Sequence, residues 1–248
     1  MLKISASQMS VFAVNRMAKF KETMTVHLGD LAAKHVAAMG HENMNDFLDQ
    51  AIWYVRRYDI HQEETTRLWL ELSMLWGIKF ISDPTYEFAQ AIVKSPLPEL
   101  PRMRRLHAAS IAHVNRTCGP DGKSFRAALE RLEHLQAQNA LAEVQLDNED
   151  LANLLAQLWP ERAEAIGPES LEKLAEETTS LAQEFGSQAG RVRILFAVLG
   201  LILGAGFATD PQYRWLMRES VVDETPEVRF DALLNRSRAY LRTVLRHA

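Results

Sequence analysis

At 248 residues, with 47% apolar and 24% charged side chains, the chain has the make-up of a globular protein with room for one large core or two small ones. A formal net charge of −4 argues against a nucleic-acid binder, which would carry a basic stripe. The one cysteine, Cys118, leaves no internal disulfide to form, and the opening MLKISASQMSVFAVNRMAKFKE lacks the apolar run of a secretory leader, so the expected location is the cytoplasm.

Taken in chain order, apolar residues recur every three or four positions, and glycines and prolines punctuate them. The spacing predicts helices at about 6–27, 29–39, 42–58, 62–76, 84–94 and 98–117, with breaks at Gly29, Gly40, Gly77 and Pro96 to Pro101. Met44, Phe47, Leu48, Ala51, Ile52 and Val55 form one apolar face, and Leu68, Leu72, Leu75 and Trp76 another. The turn-rich CGPDGKSF at 118–125 follows, with Ser124 expected to cap the next helix. It ends like a phosphate-binding loop, but Thr117 stands where that motif needs its first glycine. Helices are then expected at about 124–142, 148–158, 168–185, 190–203, 211–221 and 226–246. No segment alternates as a strand would, so the fold class is all-α.

The run ILFAVLGLILGAGFAT at 194–209 is uncharged and contains Gly200-x-x-x-Gly204, but it is shorter than the ~20 apolar residues a membrane span requires. It reads as a buried helix.

Sliding the chain by 127 residues matches FISDPTYEF (80–88) to FATDPQYRW (207–215), and 16 of the 85 positions from 28 to 112 are identical without a gap. Ordinary composition would give about six. The pattern predicts a tandem duplication of a roughly six-helix unit: residues 1–118, a linker at 119–124, and 125–248. The shared phrase has the chemistry of a helix corner. Gly77 and Gly204 suit a left-handed stop, Asp83 and Asp210 can cap the next helix, and Pro84 and Pro211 suit its first position. Phe80, Phe207, Tyr86 and Tyr213 are expected to pin the corner into the core.

Candidate chemistry is sparse. The eight histidines show no His-x-x-x-His zinc spacing, and His107 and His113, six apart on one helix, point in different directions. Cys118 lacks a local nucleophile signature, and Gly-x-Ser-x-Gly and Gly-x-Gly-x-x-Gly are both absent. The carboxylates at Glu161, Glu164, Glu169, Glu172, Glu176 and Glu177 read as a solvated acidic face. No catalytic residue, metal or cofactor is therefore expected. The best contact candidates are Trp53, Tyr54, Arg56, Arg57 and Tyr58, since Trp, Tyr and Arg dominate protein-binding hot spots. The basic last helix of each unit adds Arg102, Arg105, Arg238 and Arg242, suited to an acidic partner.

The opening ISASQMSVF, the helix FLDQAIWYVRRYDIHQEETTRLWLELSMLWG and the corner GIKFISDPTYEFAQAIV resemble uncharacterised all-helical bacterial proteins encoded near type VI secretion spike and effector genes. The resemblance implies an accessory role: a chaperone, adaptor or immunity protein whose partner is a secreted effector or toxin, or a secretion component. The expected function is thus non-enzymatic protein binding. The alternative is a helical enzyme or small-molecule binder, which would line a pocket between the two units with converging polar residues.

Overall fold

The computed structural model describes residues 6–137, 146–185, 190–217 and 226–245, and all regular structure in them is helical. In the first half lie α1 (Ala6–Leu31), α2 (Ala33–Met39), α3 (His41–Arg56), α4 (Glu63–Trp76), α5 (Glu87–Val93) and α6 (Glu99–Cys118). The second half contains α7 (Lys123–Ala137), α8 (Asn148–Leu158), α9 (Pro160–Ile166), α10 (Pro168–Glu184), α11 (Gly190–Leu203), α12 (Arg214–Met217) and α13 (Pro226–Tyr240), the last continued by a π turn at Leu241–Leu245. The expected far ends of the helices at 124–142 and 211–221 lie outside the described residues.

Element bounds recur at the 127-residue offset. Residues 33–39 answer to 160–166, 63–76 to 190–203, and the 3-10 turn Pro84–Tyr86 to Pro211–Tyr213. The apolar face expected on α3 is the buried one, Met44 through Val55. Three expectations need correcting. Gly29 does not end a helix: α1 runs through it to Leu31, and the break falls at Ala32. Leu75 is exposed, because α4 is covered on the sides of Trp69, Leu72 and Trp76 and of Leu70 and Met74, leaving the Arg67–Glu71–Leu75 edge outward. Ser124 sits inside the first turn of α7 rather than before it.

The buried apolar residues gather by halves. Two clusters, around Trp69 and Phe80 and around Phe47 and Leu48, belong to the first half; a third, around Phe196 and Phe207, belongs to the second. Fully burying each such aromatic contributes about 1.5–3 kcal/mol. The Gly200-x-x-x-Gly204 pair has a packing role. A Cβ on Gly200 would lie 2.6 Å from Thr178 Cγ2, so the glycine allows α11 to lie close against α10. No helix among the described residues is long and apolar enough to cross a membrane.

The two corners bind to one another. Asp83 Oδ1 accepts from the Thr85 backbone N–H at 2.8 Å, capping its own 3-10 turn, while its Oδ2 accepts from the Ala205 N–H at 2.7 Å in the opposite corner. Asp210 does the same in reverse, with Gln212 N at 2.9 Å and Ile78 N at 2.7 Å. Each carboxylate therefore serves the chain leaving the other half's apolar helix. Burial pushes both carboxyls up from their ordinary range, and the converging N–H groups oppose that rise. Gly77 and Gly204 have φ of +89° and +99°, and all four corner aromatics, Phe80, Phe207, Tyr86 and Tyr213, are buried.

The short helices cross over as well. α9 packs on α6 of the first half, and α2 packs on the 211–213 turn and the 241–245 π turn of the second. The space bounded by these exchanged helices and by the corners is where a site can form.

Candidate functional site

A cavity of about 760 Å³ lies between the two halves. That is the size of pockets that enclose drug-sized ligands. It is walled by the ends of α1, α4, α6 and α11, by α2 and α9, and by the start of α7, with Trp76, Tyr86, Phe125, Trp159, Tyr213 and Tyr240 supplying aromatic surface. Its polar residues fall into two groups.

The first group centres on Arg162 of α9. Its side chain is carried into the first half, where only 4% of the residue stays exposed. Nη2 donates to Tyr86 Oη at 2.9 Å and to Thr85 Oγ1 at 3.2 Å, and the guanidinium lies over the Tyr86 and Trp159 rings, each at 5.1 Å. Nε has no partner. No carboxylate forms an ion pair with Arg162 among the described residues; the Asp83 charge acts on it from beyond the Thr85 hydroxyl, which donates to Asp83 Oδ1 at 2.6 Å. Beside it His113 of α6, 2% exposed, stacks on Phe88 and meets Trp76 and Tyr86 edge-on. Neither ring nitrogen of His113 has a partner. Burial, followed by the nearby Arg162 and Arg116 charges, pushes the imidazole down to about 4, so it is neutral at pH 7.

The second group occupies the corresponding positions 127 residues away. His35 stands where Arg162 does, Gln212 where Thr85 does, and Tyr240 where His113 does. Here every polar atom of the imidazole is used. His35 Nε2 donates to Gln212 Oε1 at 2.9 Å, and Nδ1 accepts from the Tyr240 hydroxyl at 2.7 Å. Burial lowers the His35 pKa, which suits a neutral ring held in one tautomer. One end of the cavity is thus saturated, while the other holds a desolvated cation and an imidazole with unmet hydrogen-bonding capacity.

Cys118 also borders the cavity, half-buried, with burial pushing its thiol up and Thr117 Oγ1 at 3.8 Å its polar neighbour. Trp159 is fixed by donating from Nε1 to the Thr117 carbonyl at 2.8 Å. No group of His, Cys, Asp and Glu among the described residues has the arrangement to hold a metal ion.

The residues expected to make contacts lie elsewhere. Trp53 is 64% exposed on α3, with Arg57 over its ring at 5.3 Å and over Tyr54 at 5.8 Å. Tyr54 and Tyr58 instead pack inward on Trp69. Arg56 donates to the His61 carbonyl at 3.0 Å, and Arg102 ties the Tyr58 carbonyl to that of Val93 at 2.8 and 3.2 Å. Tyr58 and Arg102 are thereby brought together. Arg105 is exposed on α6, Arg238 is half-buried on α13, and Arg242 pairs with Glu133 at 3.3 Å.

Sequence reasoning missed Arg162 and Trp159, and it passed over His113 because His107 and His113, six apart on one helix, point in different directions. Arg162 sits between Glu161 and Glu164 in a seven-residue helix, so it read as part of the acidic face. The available signal was the 127-residue offset between His35 and Arg162, two basic residue types at positions that align when the chain is slid on itself.

No protein-family model, curated protein or solved structure matches the chain.

Proposed function

We propose that this is a binding protein whose ligand is received in the cavity between the two halves, and that the halves are pseudo-symmetric copies of one ancestral helical unit. The observation carrying the ligand reading is Arg162: a buried guanidinium with no ion pair among the described residues, set in the aromatic wall of a cavity of about 760 Å³. Burying such a charge costs several kcal/mol unless it is compensated, and a bound anion would compensate it. The duplication reading is supported by the recurring element bounds and by the reciprocal Asp83–Ala205 and Asp210–Ile78 bonds. Titration calorimetry and thermal shift with a panel of apolar probes, neutral and charged, test the cavity. Binding that is abolished by Trp159→Ala supports it; a panel that neither binds nor stabilises the protein refutes it.

A second reading keeps the expected accessory role, a cytoplasmic chaperone, adaptor or immunity protein for a secreted effector. The observation favouring it is Trp53, a large aromatic exposed on α3 beneath Arg57. Such a pair is typical of interface anchors. Purification from the native host, wild type against a Trp53→Ala/Arg57→Ala variant, tests it. A stoichiometric partner lost from the double variant supports this role, and a partner retained by it refutes the assignment of the surface.

A further inference from the structure

Resting on the cavity reading, we infer that the ligand is an organic carboxylate with an apolar body, its carboxylate held against the Arg162–His113 wall and its body between the aromatic side chains.

Three observations lead to this class. The first concerns charge. A guanidinium brings a positive charge to the wall, and no carboxylate among the described residues forms an ion pair with it. An anion placed there is drawn by a charge in a low-dielectric setting, where attraction is far stronger than in water. The Asp83 charge acts on Arg162, but that carboxylate is already engaged by Thr85 and Ala205.

The second observation concerns hydrogen-bonding capacity. At the Arg162 end, Arg162 Nε and the two His113 nitrogens lack partners but are sealed from solvent, so a ligand in the cavity meets the guanidinium at its outer Nη edge and reaches the imidazole only if that ring shifts. Arginine's planar fork suits a carboxylate, and a neutral imidazole supplies one donor beside it. A phosphate dianion carries more charge and more acceptor oxygens than these groups can satisfy, and its desolvation costs more. The contrast across the repeat makes the point sharper. At the matched positions His35 is completed by Gln212 and Tyr240, so the same scaffold can close this site from within, and at Arg162 it has not done so.

The third observation concerns the rest of the cavity. Trp76, Tyr86 and Trp159 line it, with Trp76 stacked on Tyr86 at 4.6 Å, so the surface beyond the cation suits a ring or an aliphatic chain. Volume of about 760 Å³ admits a body well beyond acetate.

The test compares acids with neutral isosteres on the wild-type protein, which requires no variant to fold. Calorimetry would measure indole-3-acetate against indole-3-acetamide, octanoate against octanamide, and phenyl phosphate alongside. The expected result is that each acid binds at least about tenfold more tightly than its amide, the range for a charge-assisted hydrogen bond, and more tightly than the phosphate. Arg162→Gln, checked for an intact fold by circular dichroism, should erase the preference for acid over amide. Lys34→Gln, which removes an exposed cation at the same cavity, should change affinity by less than about twofold. Amides that bind as well as acids, or a preference surviving Arg162→Gln, would overturn the carboxylate assignment while leaving the cavity reading standing. Tighter binding of the phosphate would overturn it too. If neither acids nor amides bind up to millimolar concentration, both fall together.

Discussion

Replacing Gly204 with alanine offers the sharpest test of the interlocked corners, because Gly40 and Gly167 serve as internal controls. Gly40, Gly77, Gly167 and Gly204 all have φ between +78° and +99°. The first three also have ψ between 156° and 163°, a region that is almost closed to side chains. Around Gly40 and Gly167 nothing lies within 4 Å of a hypothetical Cβ, so alanine there suffers backbone strain alone, about 1–3 kcal/mol. At Gly204 the added Cβ would lie 2.6 Å from the Trp76 carbonyl oxygen and 3.4 Å from Asp83 Oδ2. The carbonyl is backbone at the end of α4 and cannot swing aside as a flexible side chain would. Relief requires the two corners to separate, which stretches the Asp83–Ala205 bond, and overpacking of this kind adds roughly 1–3 kcal/mol. Gly204→Ala should therefore cost about 2–6 kcal/mol and Gly167→Ala about 1–3 kcal/mol. With a urea slope of ~2.5 kcal/mol/M, the midpoint should fall by roughly 1.5 M for the first and 0.5–1 M for the second. Urea unfolding followed by tryptophan fluorescence and far-UV circular dichroism measures both. Equal midpoints for the two variants would show that the corners do not bear on one another, and the reasoning about their contact would fail.

Other consequences can be measured on the same instruments. Asp83→Ala strips the Thr85 and Ala205 N–H groups of their acceptor, so it should cost about 2–5 kcal/mol, while Ser82→Ala on the exposed side of the same turn should stay within ~0.5 kcal/mol. Because the His113 pKa is lowered to about 4 in the folded protein, against 6.5 unfolded, the unfolded state binds the extra proton between those values. Wild type should therefore lose up to about 3 kcal/mol relative to His113→Phe as pH falls from 6.5 to 4, with no difference in slope above 6.5. Denaturation at pH 4.5, 5.5, 6.5 and 7.5 reads that difference, which should vanish only if the ring is solvated. Finally, residues 1–118 and 119–248 expressed as separate chains should co-elute as a complex, since Arg162 and His35 each complete the other half. Two fragments that each unfold cooperatively on their own, with the stability of the whole, would contradict that dependence.

Much of the architecture is local and was legible in the sequence for that reason. A three- and four-residue apolar period is set by the helix itself, so Met44 through Val55 announce the buried face of α3. The corner is equally local, with glycine stop, aspartate cap and proline start lying within eight residues, from Gly77 to Pro84. What could not be read depends on which halves touch. Asp83 is visible as a cap, but its bond to Ala205 spans 122 residues and has no signature in the neighbourhood of either. Arg162 presents an arginine between glutamates on a polar-looking helix, and only the packing of α9 against α6 turns it inward. Leu75 errs the other way, an apolar residue left outside because the other sides of α4 were already covered.

The difference between the two ends of the cavity is where structure becomes a claim about function. A pair of matched halves would bring matched groups to their interface, and two identical ends would be either both closed or both open. Here the histidine end is closed by groups the protein supplies, Gln212 and the Tyr240 hydroxyl, at ordinary hydrogen-bond lengths. At the arginine end, Thr85 and Tyr86 satisfy Nη2 but not Nε, and His113 stands where Tyr240 would have offered a hydroxyl. Stability alone does not favour that arrangement, since an unmet buried donor costs about 1–3 kcal/mol and an apolar replacement of similar shape would remove the cost. Selection for a bound anion supplies the missing reason, because the interaction that offsets the cost then comes from outside the chain. If replacing Arg162 with methionine raises stability while abolishing the preference for acids, the trade between the two will have been measured directly; if it lowers stability as a lost packing contact would, the arginine is a structural strut and the ligand must be held by something else.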